Sequence, residues 1–200
     1  MPIPTPQSWN YRSIQVNTVE IVHTPEPQTI SEFLQYSCQL TLNPNTVFYN
    51  LHLTEGDQEV TMKGPKLCLN HPERFHILQV LCKNGLSGAH FNWEVEWRGK
   101  KAYIAVSYNN VSRMGFGPEA QFGLNDTYWG LLCTKEACSF HNNIETKLPA
   151  PGPESCRVGV YLDHRAGDLS FYSVSETITL LHTVQTVFTR ATQPRGFGQS

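Results

Sequence analysis

Four side chains able to hold a soft metal fall close together in the chain: Cys133, Cys138, His141 and, further on, Cys156. Structural zinc takes thiolates and imidazoles of this kind, but favours tighter cysteine pairs. Both Cys133 and Cys138 stand at the end of an apparent strand, where a small buried thiol is an ordinary core residue. No metal is expected. Glu94 and Glu96 stand two apart, and two carboxylates ~5–9 Å from each other are what a glycosidase needs. On a strand, however, they share the solvent face, with no neighbour in the pattern that would give them separate acid and base roles. The eight histidines would allow a Cys–His or Ser–His–Asp site, yet no nucleophile elbow is present. His71, His76, His90 and His182 read as structural fillers. No glycine-rich phosphate loop occurs. The sequence predicts neither catalysis nor a cofactor.

What is left is binding. Met114 and Phe116 lie in a glycine-containing stretch beside Arg113, with no strand of their own to pack on. Exposed aromatic and arginine side chains are frequent interface anchors. The competing reading is that Phe116 plugs an open end of the fold.

The elements that must position these residues are strands. In 92–108, Trp93, Val95 and Trp97 alternate with Glu94 and Glu96, then Arg98-Gly99-Lys100-Lys101 breaks the run. Ala102, Ile104 and Val106 follow on one face, with Tyr103, Ala105 and Ser107 on the other. Two tryptophans on one face demand a second layer.

Upstream, residues 1–28 hold five of the thirteen prolines and read as a linker, with Ile14, Val16, Val19 and Ile21 as a short edge strand. Thr29-Ile30-Ser31-Glu32 fits a capping box, so a two-turn helix should follow to about Ser37. Strands are expected at 39–43, 49–53, 59–63, 79–82 and 88–97, the last as a long central strand. Residues 63–74 and 109–126 read as loops, the second being the longest irregular stretch. Further strands are expected at 128–133 and 137–141, with Asn142-Asn143 turning into 144–148. Strands at 157–163 and 168–173 flank the turn at His164-Arg165-Ala166-Gly167, and 178–188 is expected to be last. Short strands at regular spacing behind one short helix indicate an antiparallel β-sandwich over residues 29–200.

The totals agree. Two hundred residues, 40% apolar and 16% charged, suit one globular domain. A net charge of −2 offers no basic field for nucleic acid. No run reaches the ~18 apolar residues of a membrane span. Met1-Pro2-Ile3-Pro4 shows no secretory leader, so the six cysteines are expected reduced and the chain cytoplasmic. Asn110-Val111-Ser112 and Asn125-Asp126-Thr127 match the glycosylation sequon, which matters only in a secretory compartment.

Residues 33–46, 71–75 (His-Pro-Glu-Arg-Phe), 79–82, 93–97, 128–133 and 158–174 together resemble a PRY–SPRY domain. The kind is one that fish carry on tripartite-motif, NLR-like and stonefish-toxin-type proteins. The family's Leu-Asp-Pro stands here as Leu42-Asn43-Pro44, and its tail is altered at 191–195. The resemblance implies a bent, concanavalin-like β-sandwich. It also implies a non-catalytic module that binds a protein or peptide through loops at one edge. The parent would be an intracellular innate-immune ubiquitin ligase, its catalysis in a RING, or an NLR-like receptor; the alternative is a secreted pore-forming cytolysin. Any oligomerisation would lie in upstream segments. By position in the family pattern, the contacts are Asn109, Asn110, Arg113 and Phe116, Thr134 and Lys135, and Arg195 and Phe197 in the tail, framed by Lys66 in the 63–70 loop. Leu132 and Thr134 fall where some relatives carry aromatic hot spots.

Overall fold

A computed structural model describes residues 27, 29–54, 56–65, 70–88, 90–121, 123–149 and 156–199. The expected edge strand of Ile14, Val16, Val19 and Ile21 lies outside them, as does Lys66.

The two tryptophans set the layering. Trp93 lies in β4 (His90–Glu96) and Trp97 just beyond it; both are buried with Ala102, Ile104 and Val106 of β5 (Lys101–Tyr108). Glu94 and Glu96 are exposed, as the alternation requires. Yet β4 and β5 do not pair. β4 pairs with β9 (Arg157–Asp163), whereas β5 lies between β6 (Tyr128–Thr134) and β12 (Thr192–Gln199). The short link between them, with Gly99 at φ 125°, carries the chain from one sheet to the other.

The four-stranded sheet runs β11-β10-β9-β4, with β10 at Asp168–Val174 and β11 at Ile178–Gln185. The six-stranded sheet runs β3-β12-β5-β6-β7-β8, adding β3 (Val80–Leu81), β7 (Cys138–Asn142) and β8 (Ile144–Lys147). β1 (Leu51–Leu53) and β2 (Val60–Met62) form a small ribbon. Every named ladder is antiparallel. The core is the space between the sheets, where Val158, Val160, Leu162, Leu169 and Phe171 meet Ile104, Leu131 and Phe140. Asn143 at φ 58° makes the hairpin tip.

Helix α1 (Ile30–Gln35) covers the outer face of the four-stranded sheet. Its capping box is complete: the Glu32 amide donates to the Thr29 hydroxyl, and the Thr29 amide to the Glu32 carboxylate, both at 3.2 Å. Phe33 is buried against Tyr161 and Tyr172. Gly159 makes room for it, since a Cβ there would stand 2.8 Å from the Phe33 ring.

Several expectations are corrected. Residues 39–43 form no strand; only Leu42 bridges to Cys82. That segment passes between partners, Cys38 N–H donating to Asn92 C=O, Leu42 to Asp57 and Asn43 to Leu81, so no single ladder holds it. β4 is not central but a sheet edge, covered where Ser37 bridges Asn92. β11 is not the last strand. The glycine- and proline-bearing tail forms β12 inside the sheet, which weak strand formers disguise. Pro194 fits there because its carbonyl accepts from Cys82 N–H on the β3 side, and only the return bond is missing. Cys133 and Cys138 are not reduced; they stand opposite each other in the β6–β7 ladder, Cα atoms 4.3 Å apart, and form a disulfide. Register across strands, invisible in a cysteine count, decides this. Cys38, Cys82 and Cys156 are free thiols.

Trp93→Ala should cost ~3–5 kcal/mol in urea unfolding, because two sheets close over that side chain. Replacing both Cys133 and Cys138 by Ala should cost ~2 kcal/mol, the value for so short a loop. Trypsin cuts after Lys135, between the two cysteines, so a non-reduced digest should hold the two peptides as one cross-linked mass.

Candidate functional site

The face of the six-stranded sheet turned away from the core is built by alternation. Tyr103, Ala105 and Ser107 point there from β5, and Tyr128, Gly130, Leu132 and Thr134 from β6. Ser139 and His141 continue the rows on β7, and Arg195 stands opposite Ala105 on β12. The centre of this face is low because Ala105 and Gly130 are opposed. A Cβ on Gly130 would come 2.7 Å from that of Ala105.

The 109–126 loop folds over the upper half of the face. Phe75 is buried against two guanidinium groups, those of Arg113 and Arg195, each 4.7 Å from its ring centre. Arg113 also donates to the carbonyl of Val111 at 2.9 Å, and to the carbonyl and side-chain oxygen of Asn109 at 2.9 and 2.8 Å. Arg195 lies over the Tyr128 ring and donates to Ser107 Oγ at 3.3 Å. Burial pushes the Arg195 guanidinium down to about 10, with Tyr128 opposing and Arg113 adding to the shift; it stays charged at neutral pH. Burial likewise lowers Arg113 and drives the Tyr128 phenol well above its ordinary value. The buried Gln79 amide donates to Ala120 C=O at 2.9 Å, tying the loop's far side down. Gly123 closes on His141, where a Cβ would stand 2.5 Å from the His141 Cβ.

Beyond this anchored part the loop presents apolar side chains to water. Phe116 is 72% exposed and Met114 60%. Phe116 therefore plugs nothing. Ser112 Oγ donates to Met114 C=O at 2.9 Å, and the Gln121 amide donates to Phe116 C=O, so the backbone carrying both residues is held.

The expected contact residues do not all meet. Asn109, Asn110, Arg113 and Phe116 share the loop, with Arg113 as its internal pin. Thr134 and Lys135 lie at the opposite end of β5 and β6, where Lys101 pairs with Thr134 while Ser107 pairs with Tyr128. Six strand steps separate these ends, about 20 Å. The Thr134 hydroxyl is occupied within its own turn, accepting from the amides of Glu136 and Ala137. The tail expectation is corrected: Arg195 is 5% exposed beneath the loop and Phe197 is a strand residue opposite Tyr103, so neither is in a loop. Tyr103 and His141 form the half-buried open part of the face beside Leu132. Alternation along β5 and β7 places Tyr103 and His141 on this face, but that they share it depends on the β5–β6–β7 pairing.

One pair has a catalytic look. Ser139 Oγ lies 2.7 Å from His141 Nε2, and burial lowers the His141 pKa, with Glu145 opposing. But Ser139 sits mid-strand between β6 and β8, where the surrounding backbone N–H groups serve two ladders. No pair of them is placed to hold an oxyanion. Elsewhere, a cavity of about 360 Å³ opens between the 38–42 segment and the sheets, lined by Cys38, Leu40, Cys82, Trp93, Trp97 and Pro194. Burial and the nearby Cys38 push the Cys82 thiol up to about 12, so it is no nucleophile at neutral pH.

Residues 40–86 match PRY, the SPRY-associated domain, and residues 90–197 match the SPRY domain. The chain is 36% identical to neoverrucotoxin subunit beta of Synanceia verrucosa over 86% of its own length and 25% of that protein. It is 33% identical to tripartite motif-containing protein 16 of Mus musculus over 79% of its length and 29% of that protein. The TRIM65 PSpry domain superposes with a TM-score of 0.74 at 26% identity, covering 84% of this chain and 90% of that one. The chain thus spans about a quarter of the length of the two curated relatives.

Arg113→Ala removes three hydrogen bonds and one side of the Phe75 stack. Local opening of 109–126 should become easier by ~1–2 kcal/mol, read as faster amide exchange there with β9 and β10 unchanged.

Proposed function

This chain belongs to the PRY–SPRY family, and we propose that it is a non-catalytic module recognising a protein or peptide through the 109–126 loop and the open face beside it. The observation that carries this reading is the exposure of Phe116 and Met114 on a backbone pinned from within. A backbone already held loses little conformational freedom on binding, so more of the apolar burial at Phe116 and Met114 is left as affinity. The formal charge of −2 favours a protein partner over nucleic acid. Among the described residues no helix is long and apolar enough to cross a membrane. We place the module in an intracellular innate-immune protein, a tripartite-motif-type ubiquitin ligase or an NLR-like receptor, where it selects the target and any ligase chemistry belongs to another domain.

A second reading, a module of a secreted pore-forming cytolysin, is favoured by one observation: the Cys133–Cys138 disulfide. Such bonds persist in oxidising compartments and are rare in the cytosol. The exposed Asn110 of the first sequon separates the two readings. In the chain isolated from its own tissue, a glycan on Asn110 supports the cytolysin and an unmodified Asn110 the intracellular protein.

The recognition surface is tested with a partner recovered by cross-linking to the native chain. Phe116→Ala with Met114→Ala should weaken binding by ~2 kcal/mol, about thirtyfold, without moving the melting temperature. Lys135→Ala, far down the sheet, should change affinity less than about threefold. Equal binding by the loop variant and the native chain would place recognition elsewhere.

A further inference from the structure

Two strands of the main sheets, β8 and β11, have no outer neighbour among the described residues. β11 is bent by a bulge where its register against β10 shifts between Phe171 and Tyr172, which spoils it as a template. β8 pairs with β7 in unbroken register, and all four of its residues are exposed. We infer that β8 is a self-complementary edge through which two copies of this chain pair antiparallel about Thr146.

Hydrogen-bond direction and side-chain identity lead to the same register. Leu148 N–H donates to Cys138 C=O on the β7 side. Since backbone groups alternate along a strand, Thr146 and Ile144 also bond toward β7, while Glu145 and Lys147 turn their N–H and C=O outward. An added antiparallel strand must therefore pair at 145 and 147. With Thr146 opposite Thr146 of the copy, Glu145 meets Lys147 and Lys147 meets Glu145, exchanging backbone bonds. Ile144 then faces Leu148, twice. Acid meets base, hydroxyl meets hydroxyl and apolar meets apolar, the pairings that stabilise neighbouring strands. Sliding by two residues in either direction puts Glu145 against Glu145 or Lys147 against Lys147. Sliding by one turns the wrong backbone groups together. The pairing also accounts for Ile144, 73% exposed in the single chain and covered in the pair. Charges on an edge usually discourage association; here they reject other registers and other strands while fitting their own copy. The contact is shorter than a stable interface requires, so the dimer forms only at high protein concentration. The inference is independent of the recognition loop.

The test is sedimentation of the 200-residue chain over a wide concentration range, with charge reversals and cysteine cross-linking. The native chain should show a reversible, concentration-dependent dimer. Lys147→Glu and Glu145→Lys should each weaken it about tenfold, by setting like charges opposite each other twice. The double reversal should restore it, and circular dichroism with unchanged melting temperature should show that the single variants fold. Under mild oxidation Thr146→Cys should give a disulfide-linked dimer well above the native background, because residues facing at a non-hydrogen-bonded position stand ~4.5 Å apart. Thr179→Cys on β11 should not. The inference is overturned if the single reversals dimerise as well as the native chain, or if Thr146→Cys cross-links no more than background. Faster cross-linking through Thr179→Cys would overturn it in favour of β11.

Discussion

Trp93 and Trp97 share a strand face whose reverse side carries Glu94 and Glu96, so the chain must bring an apolar layer to that one side. The next strand, Lys101–Tyr108, supplies part of it, but not as a hairpin partner. A paired neighbour would lie beside the tryptophans in the same sheet and leave them facing water. By crossing at Gly99, β5 comes to lie over them instead. Everything later in the chain extends one sheet or the other from that crossing. β9, β10 and β11 build outward from β4, while β6, β7, β8 and β12 build around β5.

This arrangement leaves each sheet with a second face, and the two are treated differently. The outer face of the four-stranded sheet is closed by helix α1, with Phe33 on Tyr161 and Tyr172 over the gap left by Gly159. The outer face of the six-stranded sheet is closed only in its upper half. There the stack of Arg113, Phe75 and Arg195 joins a loop, the leading segment and the final strand in one contact. Two guanidinium groups on one ring are costly to desolvate. They hold because each also donates to fixed oxygens, Arg113 to Asn109 and Val111 and Arg195 to Ser107. The result is a long loop with a rigid base and an apolar tip.

Chemistry and recognition separate cleanly on this scaffold. Several of the groups with a reactive look are committed: Cys133 to Cys138, Glu94 to an ion pair with Arg157, and Ser139 and His141 to each other. Among the large apolar side chains that meet solvent are Phe116 and Met114 on the loop and Ile144 on the last strand of the six-stranded sheet. A surface of this kind is suited to meeting other chains.

Alternation along one strand is a local property, so the sequence by itself determined most of the strands and their inward faces, though not β12 and not the bridging run at 39–43, together with the capping box at Thr29 and Glu32, the hairpin at Asn143 and the long loop carrying Phe116. It also carried enough of the family's pattern to reveal a PRY–SPRY sandwich. Which strands pair, and where each ladder ends, depends on contacts between residues far apart in the chain, and only the tertiary structure decided those. Pairing between strands set Cys133 against Cys138. The length of β6 carried Thr134 and Lys135 about 20 Å from the loop they were expected to join. Arg195 shows the same division most plainly. A charged residue among glycine and proline reads as an exposed tail. It is buried because Phe75, Tyr128 and Ser107, remote in sequence, converge to receive it.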